Sequence, residues 1–292
     1  MKRLLVLDFD GTMTDAEQEA APFREGYFED ISVLSGLSIP EIKVLAERFQ
    51  AEVAANVHAY GWTYEGRIVA PAWVDPYLRM MPVARKLFDH SETLMNPRDR
   101  TRVLDGILYK YNYPKTLNRF RPGAREVLES LEGTATYVVT NSHTDPVRGK
   151  LRDLGDRGDG TCSLDWLVAR VHGSAKKYQL DDTFTAVPES LTLPGLPRPV
   201  LLRRGKYHAK LTELLADEGC DWEDLVVVGD IFELDLSLPL AMGATVGLLA
   251  NPYTPDYEQV YLTEHPRGAV LTDVSQIPEF GFGDSLRFTS SK

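Results

Sequence analysis

Cysteine is nearly absent: the 292-residue chain has two, Cys162 and Cys220, without CxxC spacing. Neither a disulfide framework nor a thiolate metal centre is expected, and two free thiols suit a reducing cytoplasm, the expected location. Long apolar runs are missing too. No stretch approaches the ~20 residues that span a bilayer, and no signal-peptide core precedes the first motif. Basic residues are in deficit, 32 against 43 acidic, for a net charge of -11. Such a field repels phosphate backbones and anionic lipid, so neither nucleic acid nor membrane is an expected partner. Internal repeats and low-complexity tracts are also lacking. What remains is an ordinary globular composition, 43% hydrophobic and 26% charged, long enough for one large or two modest domains.

The chain is organised around its first segment. Leu4-Leu5-Val6-Leu7 reads as a strand buried on both faces, as inside a parallel sheet covered by helices. It runs into Asp8-Phe9-Asp10-Gly11-Thr12. Side chains alternate along an extended backbone, so Asp8 and Asp10 project to one side and Phe9 to the other. Gly11 frees the backbone to turn. Two carboxylates this close resist joint ionisation unless a cation sits between them or one keeps its proton. They also lie where open parallel sheets present ligands, at a strand C-terminus.

From residue 16 to about 120 the pattern is helical. Pro40 to Ala59 is the clearest helix, capped by Ser38. An aromatic stretch from Ala59 to Pro82 follows, then two helices between Pro82 and Tyr113, with Pro97 at a start. Arg121-Pro122-Gly123 breaks the pattern, and a helix over Ala124 to Leu131 returns the chain to the first domain. Thr134 to Thr140 reads as a second buried strand, ending in Thr140-Asn141-Ser142. Further on, Pro146 to Leu154 reads as a helix, Trp166 to Val171 as a strand, and Leu191 to Leu202 as a hairpin or flap turning at Pro194-Gly195. Tyr207 to Glu218 is an amphipathic helix. Leu225 to Val228 is a third buried strand running into Gly229-Asp230, with Asp235 five positions on. Ala244 to Leu249 and Ala269 to Leu271 complete the strands, and the tail after Gly281 is expected to fray.

Asp8-Phe9-Asp10-Gly11-Thr12 resembles the first motif of the haloacid dehalogenase-like (HAD) hydrolase superfamily, most of whose members are phosphatases. Thr140 at its strand end resembles the second motif, and Gly229-Asp230 with Asp235 resembles the acidic fourth. The cationic third motif has two candidates, Lys206 and Lys210. Lys206 follows Gly205 directly before a helix and lies 24 positions ahead of Asp230 (230 minus 206), close to the family interval. It is preferred, although Tyr207 stands where many relatives have Pro.

The resemblance implies roles for these residues. Asp8 attacks phosphorus to form an aspartyl-phosphate. Asp10 acts as general acid and then base; dehalogenases lack this second aspartate. Asp8, Asp230 and the Asp10 carbonyl hold Mg²⁺, a hard ion that takes oxygen ligands. Asp235 stands behind them, orienting a bound water or the lysine. Thr140 and Lys206 stabilise the phosphoryl group, and Gly11, Thr12 and Asn141 bind substrate. His143 and His208 are left without a role, while Arg24, Arg67 and Arg79 are expected to be surface residues, with anchoring of an anionic substrate as the alternative.

The fold class expected is α/β: a doubly wound, mostly parallel, Rossmann-like HAD core from residues 1–15 and 121–292, with an α-helical cap, 16–120, inserted after the first strand. The function expected is a Mg²⁺-dependent phosphatase acting on a small phosphorylated metabolite, with a phosphomutase or a catalytically idle binding protein as rivals. Neither the metabolite nor the oligomeric state is written in the motifs.

Overall fold

A computed structural model describes residues 2–111 and 116–283; Tyr113 and the tail beyond 283 lie outside them. The chain divides into two units, Met1–Thr14 with Phe120–Lys292, and Asp15–Arg119. The division falls one residue from the boundary read in the sequence.

In chain order the strands are β1 (Leu4–Leu7), β2 (Gly61–Tyr64), β3 (Arg67–Pro71), β4 (Thr136–Val139), β5 (Val171–His172), β6 (Ser190–Leu191), β7 (Val200–Leu201), β8 (Leu225–Gly229), β9 (Thr245–Leu249) and β10 (Gly268–Leu271). Six form one parallel sheet in the order β10-β9-β8-β1-β4-β5. β1 is sandwiched between β8 and β4, where connections leave in opposite directions, the switch point at which α/β sheets bind ligands.

Both faces of this sheet are covered. Leu4 and Val6 join one apolar cluster with Val227, Val246 and Leu211. Leu5 and Leu7 join another with Val226, Val228 and Val147. Each fully buried Leu or Val contributes about 1.5–3 kcal/mol, which is why a four-residue run without a polar break fits here and nowhere exposed. Register then aligns the strand ends. Leu7 pairs with Val228 on one side and Val138 on the other, so Asp8, Thr140 and Asp230 all emerge at the same sheet edge.

The inserted unit has its own core of Phe23, Tyr27, Phe49, Val83, Leu87 and Leu104. The helix Ile39–Ala55 starts on a capping box, Ser38 with Glu41, satisfying free N–H groups of its first turn. The unit is not purely helical: β2 and β3 pair as an antiparallel hairpin, built from the aromatic stretch. Pro82 sits inside the helix Pro76–His90. That helix begins earlier than the sequence suggests because Asp75 caps it, accepting from the Tyr77 and Leu78 amides at 2.8 Å each. Arg24 and Arg79 pair with Glu17, and Arg67 with Glu65.

One strand assignment changes. Asp165–Val168 is a helical turn, and only Val171–His172 joins the sheet; a short apolar run carries no periodicity that separates the two states. The hairpin β6–β7 forms, pairing Leu191 with Val200. Its Val187, Leu193, Leu196 and Leu202 are buried in the sheet's own apolar cluster, so it is a packed part of the core and not a flap.

Candidate active site

The site is built where β1 stops. Phe9 turns into the core, fully buried, while Asp8 sits at the sheet edge, also buried. Gly11 adopts φ +82. A Cβ there would lie 2.2 Å from Oδ2 of Asp230, so glycine is what lets the Asp230 carboxylate approach this loop. The turn is held from both sides: the Gly11 amide donates to Thr14 Oγ1 at 3.0 Å, and Arg121 donates through Nε and Nη2 to the Gly11 carbonyl at 3.0 and 2.7 Å.

Three carboxylates converge. Single oxygens of Asp8, Asp230 and Asp235 lie within 4.8 Å of one another, although Asp8 and Asp230 are 222 residues apart (230 minus 8). The Thr12 hydroxyl lies 3.1 Å from Asp8 Oδ2 and 3.1 Å from Asp230 Oδ1, and has one proton to give to the two. Lys177 reaches two of the carboxylates, its Nζ donating to Asp8 Oδ1 at 2.6 Å and to Asp235 Oδ1 at 2.8 Å. Asp235 is carried by a π-helical turn, Phe232–Leu236. Such turns are rare and frequent at functional sites. Its Oδ2 accepts from the Ile231 amide at 3.1 Å.

Burial dominates the electrostatics. It pushes the Asp8 carboxyl up to about 7, with the Lys177 ammonium opposing and Asp235 adding to the rise. Burial also works against the Lys177 charge, but Asp235 and Asp8 outweigh it and hold the ammonium well above the ordinary lysine range. Three buried carboxylates gathered beside Lys177 concentrate negative charge in a low-dielectric site. A hard divalent cation among these oxygens fits this donor set.

Asp10 stands apart. Its Oδ1 accepts from Lys150 Nζ at 3.2 Å, and its side chain is 31% exposed. Thr140 is buried at the end of β4 and accepts the Ser142 amide through Oγ1 at 3.1 Å. Asn141 Oδ1 accepts the Lys177 amide at 2.8 Å, so it orients the backbone of the lysine loop.

The lysine expected from the sequence is not the one at the carboxylates. Lys206 is exposed in the first turn of the helix Gly205–Glu218, where its neighbour Tyr207 takes the inward position. Lys210 pairs with Glu213 instead. Lys177 sits 53 positions before Asp230 (230 minus 177), because β6–β7 is interposed between the lysine and the helix. The usable signal was Gly173 after a short strand, followed by a lysine pair. Backbone bonds stitch this loop to the end of β4: Ser174 N to Ser142 O at 2.7 Å and Ala175 N to Thr140 O at 2.9 Å. Ser174 and Lys176 have positive φ, 53 and 54, which non-glycine residues adopt only where surroundings enforce it. His143 meets Ser174. His208 stacks between Phe184 and Trp222, away from the carboxylates.

The family model of haloacid dehalogenase-like hydrolases matches residues 2–243. The chain belongs to the haloacid dehalogenase-like hydrolase family. Solved HAD structures resemble it in fold. A HAD-hydrolase from Bacillus subtilis, bound to magnesium, has a TM-score of 0.55 at 15% identity, covering 94% of this chain and 96% of that one. A predicted phosphoglycolate phosphatase from Haemophilus somnus has a TM-score of 0.53 at 16% identity, covering 95% and 97%. A HAD-superfamily hydrolase from Geobacter sulfurreducens has a TM-score of 0.50 at 18% identity, covering 95% of each chain. No curated protein matched by sequence.

Proposed function

We propose that this HAD hydrolase is a Mg²⁺-dependent phosphatase that acts on a small phosphorylated metabolite through an aspartyl-phosphate on Asp8. The observation that carries the reading is the buried group of Asp8, Asp230 and Asp235 around Lys177, with a second aspartate, Asp10, on the same loop. Phosphoryl transfer requires a positioned nucleophile, positive charge for the equatorial oxygens and a proton source, and each has a candidate here.

Asp8 attacks phosphorus through a carboxylate oxygen as the bond to the leaving oxygen breaks. Asp10 gives its proton to that oxygen. It then takes a proton from the water that attacks the aspartyl-phosphate, releasing inorganic phosphate and restoring Asp8. Lys177 keeps Asp8 oriented and offsets the charge building on the phosphoryl oxygens. The Thr140 hydroxyl offers a further hydrogen bond at the sheet edge. Asp8 and Asp230, with Asp235 behind them, would hold Mg²⁺, which would supply positive charge against the negative charge of the site. Lys177 thus takes the part the sequence reading gave to Lys206. Asp10 favours phosphate esters over organic halides, since halide needs no proton on leaving. Free Cys162 and Cys220 suit a cytoplasmic site of action, and no described helix is long and apolar enough to cross a membrane.

Phosphate release from a panel of phosphate esters, with and without Mg²⁺, tests this for the parent and Asp8→Asn. Metal-dependent release that disappears in Asp8→Asn is expected. Equal release from both proteins refutes the nucleophile, and an isomerised ester without free phosphate indicates a mutase instead.

A further inference from the structure

Between Lys177 and the helix Gly205–Glu218 lies the segment that carries β6 and β7, and its end holds both halves of the Lys177–Asp235 pair. On the lysine side, Arg204, fully buried, donates through Nη1 to the Lys177 carbonyl at 2.6 Å and through Nε to the Leu201 carbonyl at 3.1 Å. On the aspartate side, Arg198 makes a two-pronged pair with Glu233, Nη1 to Oε2 at 2.8 Å and Nη2 to Oε1 at 2.5 Å. Glu233 is fully buried and lies two residues before Asp235 on the same π-helical turn. Three residues beyond Arg204, the Tyr207 hydroxyl donates to the Asp235 carbonyl at 3.0 Å.

We propose that Arg198, Arg204 and Tyr207 form a positioning brace that holds Lys177 and Asp235 at the spacing in which Lys177 reaches Asp8. The Tyr207 ring also lies 5.5 Å from Lys177 Nζ, and the bonds that reach the carbonyl of Lys177, the carbonyl of Asp235 and a carboxylate of the π-helical turn let the three residues act through these elements. A π-helical turn is a rare geometry frequent at functional sites, and a lysine side chain loses much rotamer freedom when it is ordered, so fixing the backbone on both sides favours the one arrangement that reaches Asp8. Two guanidinium groups suit this task, because the planar fork binds a carboxylate or two carbonyls with direction as well as charge. The anchoring is mutual: Val200 and Leu202 are buried beside Tyr207 and Leu211, so the hairpin cannot move without the helix.

The proposal rests on the phosphatase reading only for its kinetic consequence, so the deciding measurement is independent of activity. Amine acetylation of the whole protein, quantified at each lysine by mass spectrometry, reports how firmly Lys177 is held, with exposed Lys206 as internal reference. The variants are Tyr207→Phe, Arg204→Lys, and Arg198→Met combined with Glu233→Gln, which removes both charges of that pair at once; thermal unfolding selects those that fold. Labelling of Lys177 relative to Lys206 should rise about tenfold or more, and phosphate release should lose kcat by about 10–100-fold with KM within twofold, as expected for misplacement by ~1 Å. Folded variants whose Lys177 stays as protected as in the parent overturn the brace, whatever their activity. If the parent releases no phosphate, the phosphatase reading fails while the labelling result still decides this one.

Discussion

The two aspartates of the first loop live in different environments. Asp8 is locked among Lys177, Thr12 and two further carboxylates, and its lysine is 1% exposed. Asp10, two residues on, meets Lys150 at 3.2 Å with side chains 31% and 17% exposed. One strand end thus supplies a dry, fixed carboxylate and a half-open one. A nucleophile gains from a site where charge is pre-arranged and water excluded, whereas a group that gives and takes protons needs a route for exchange.

The largest expected effect lies on the dry side. Asp8→Asn should lower phosphate release by more than about a thousandfold, the order seen when a nucleophile is removed, with folding retained; residual activity above a tenth of the parent breaks the contrast. Lys177→Met should cost about 10²–10³ in kcat, as loss of a charge-stabilising group does. Leaving buried carboxylates without their counter-ion should also destabilise the fold by about 3–5 kcal/mol. Lys206→Met, by contrast, should change both by less than about twofold or 0.5 kcal/mol, as exposed substitutions do. On the half-open side, Lys150→Met should lower kcat by no more than about tenfold, since a partly exposed pair is screened. A loss as large as for Lys177→Met would erase the difference between the two corners.

Acidity sharpens the same comparison. Asp8 is raised to about 7 from an ordinary 3.8. Below 3.8 both folded and unfolded chains hold its proton; between 3.8 and 7 only the folded chain does, so this contribution to stability is lost as pH rises through that window. A cation that binds the ionised cluster should therefore raise the melting temperature more at pH 8 than at pH 5. The gain should be about 2.7 kcal/mol at a hundredfold excess over Kd, and equal shifts at both pH values would contradict it.

The smallest effect belongs behind the π-helical turn. Glu258 is fully buried, and burial, with the Glu233 charge adding and the Phe232 amide opposing, pushes it well above the ordinary carboxylate range. The sign is again that of a raised acid, with stability lost as pH climbs past 4.5. Glu258→Gln should be near neutral at pH 4.5 and stabilising at pH 8, where the parent must keep a proton on a buried acid or bury its charge. Urea unfolding at the two pH values reads this directly, and a pH-independent difference would remove the neutral acid from the account.

Much of this molecule is local and so was readable in one dimension. Leu4 to Leu7 and Leu225 to Val228 announce buried parallel strands, Asp8-Phe9-Asp10-Gly11 follows from alternation and a turn, and Ser38 with Glu41 marks a helix start. The lysine was not readable, because its identity depends on which cation the folded chain brings to Asp8. That choice rests on the inserted β6–β7 hairpin, on two positive-φ residues after β5 and on Arg204 holding a carbonyl 27 residues back in the chain. Spacing along the backbone favoured Lys206; distance in space selects Lys177. Local propensity and hydrophobic period determined the central strands, the turn and the carboxylates. Only tertiary packing, which decides what is buried beside what, chose their counter-ion.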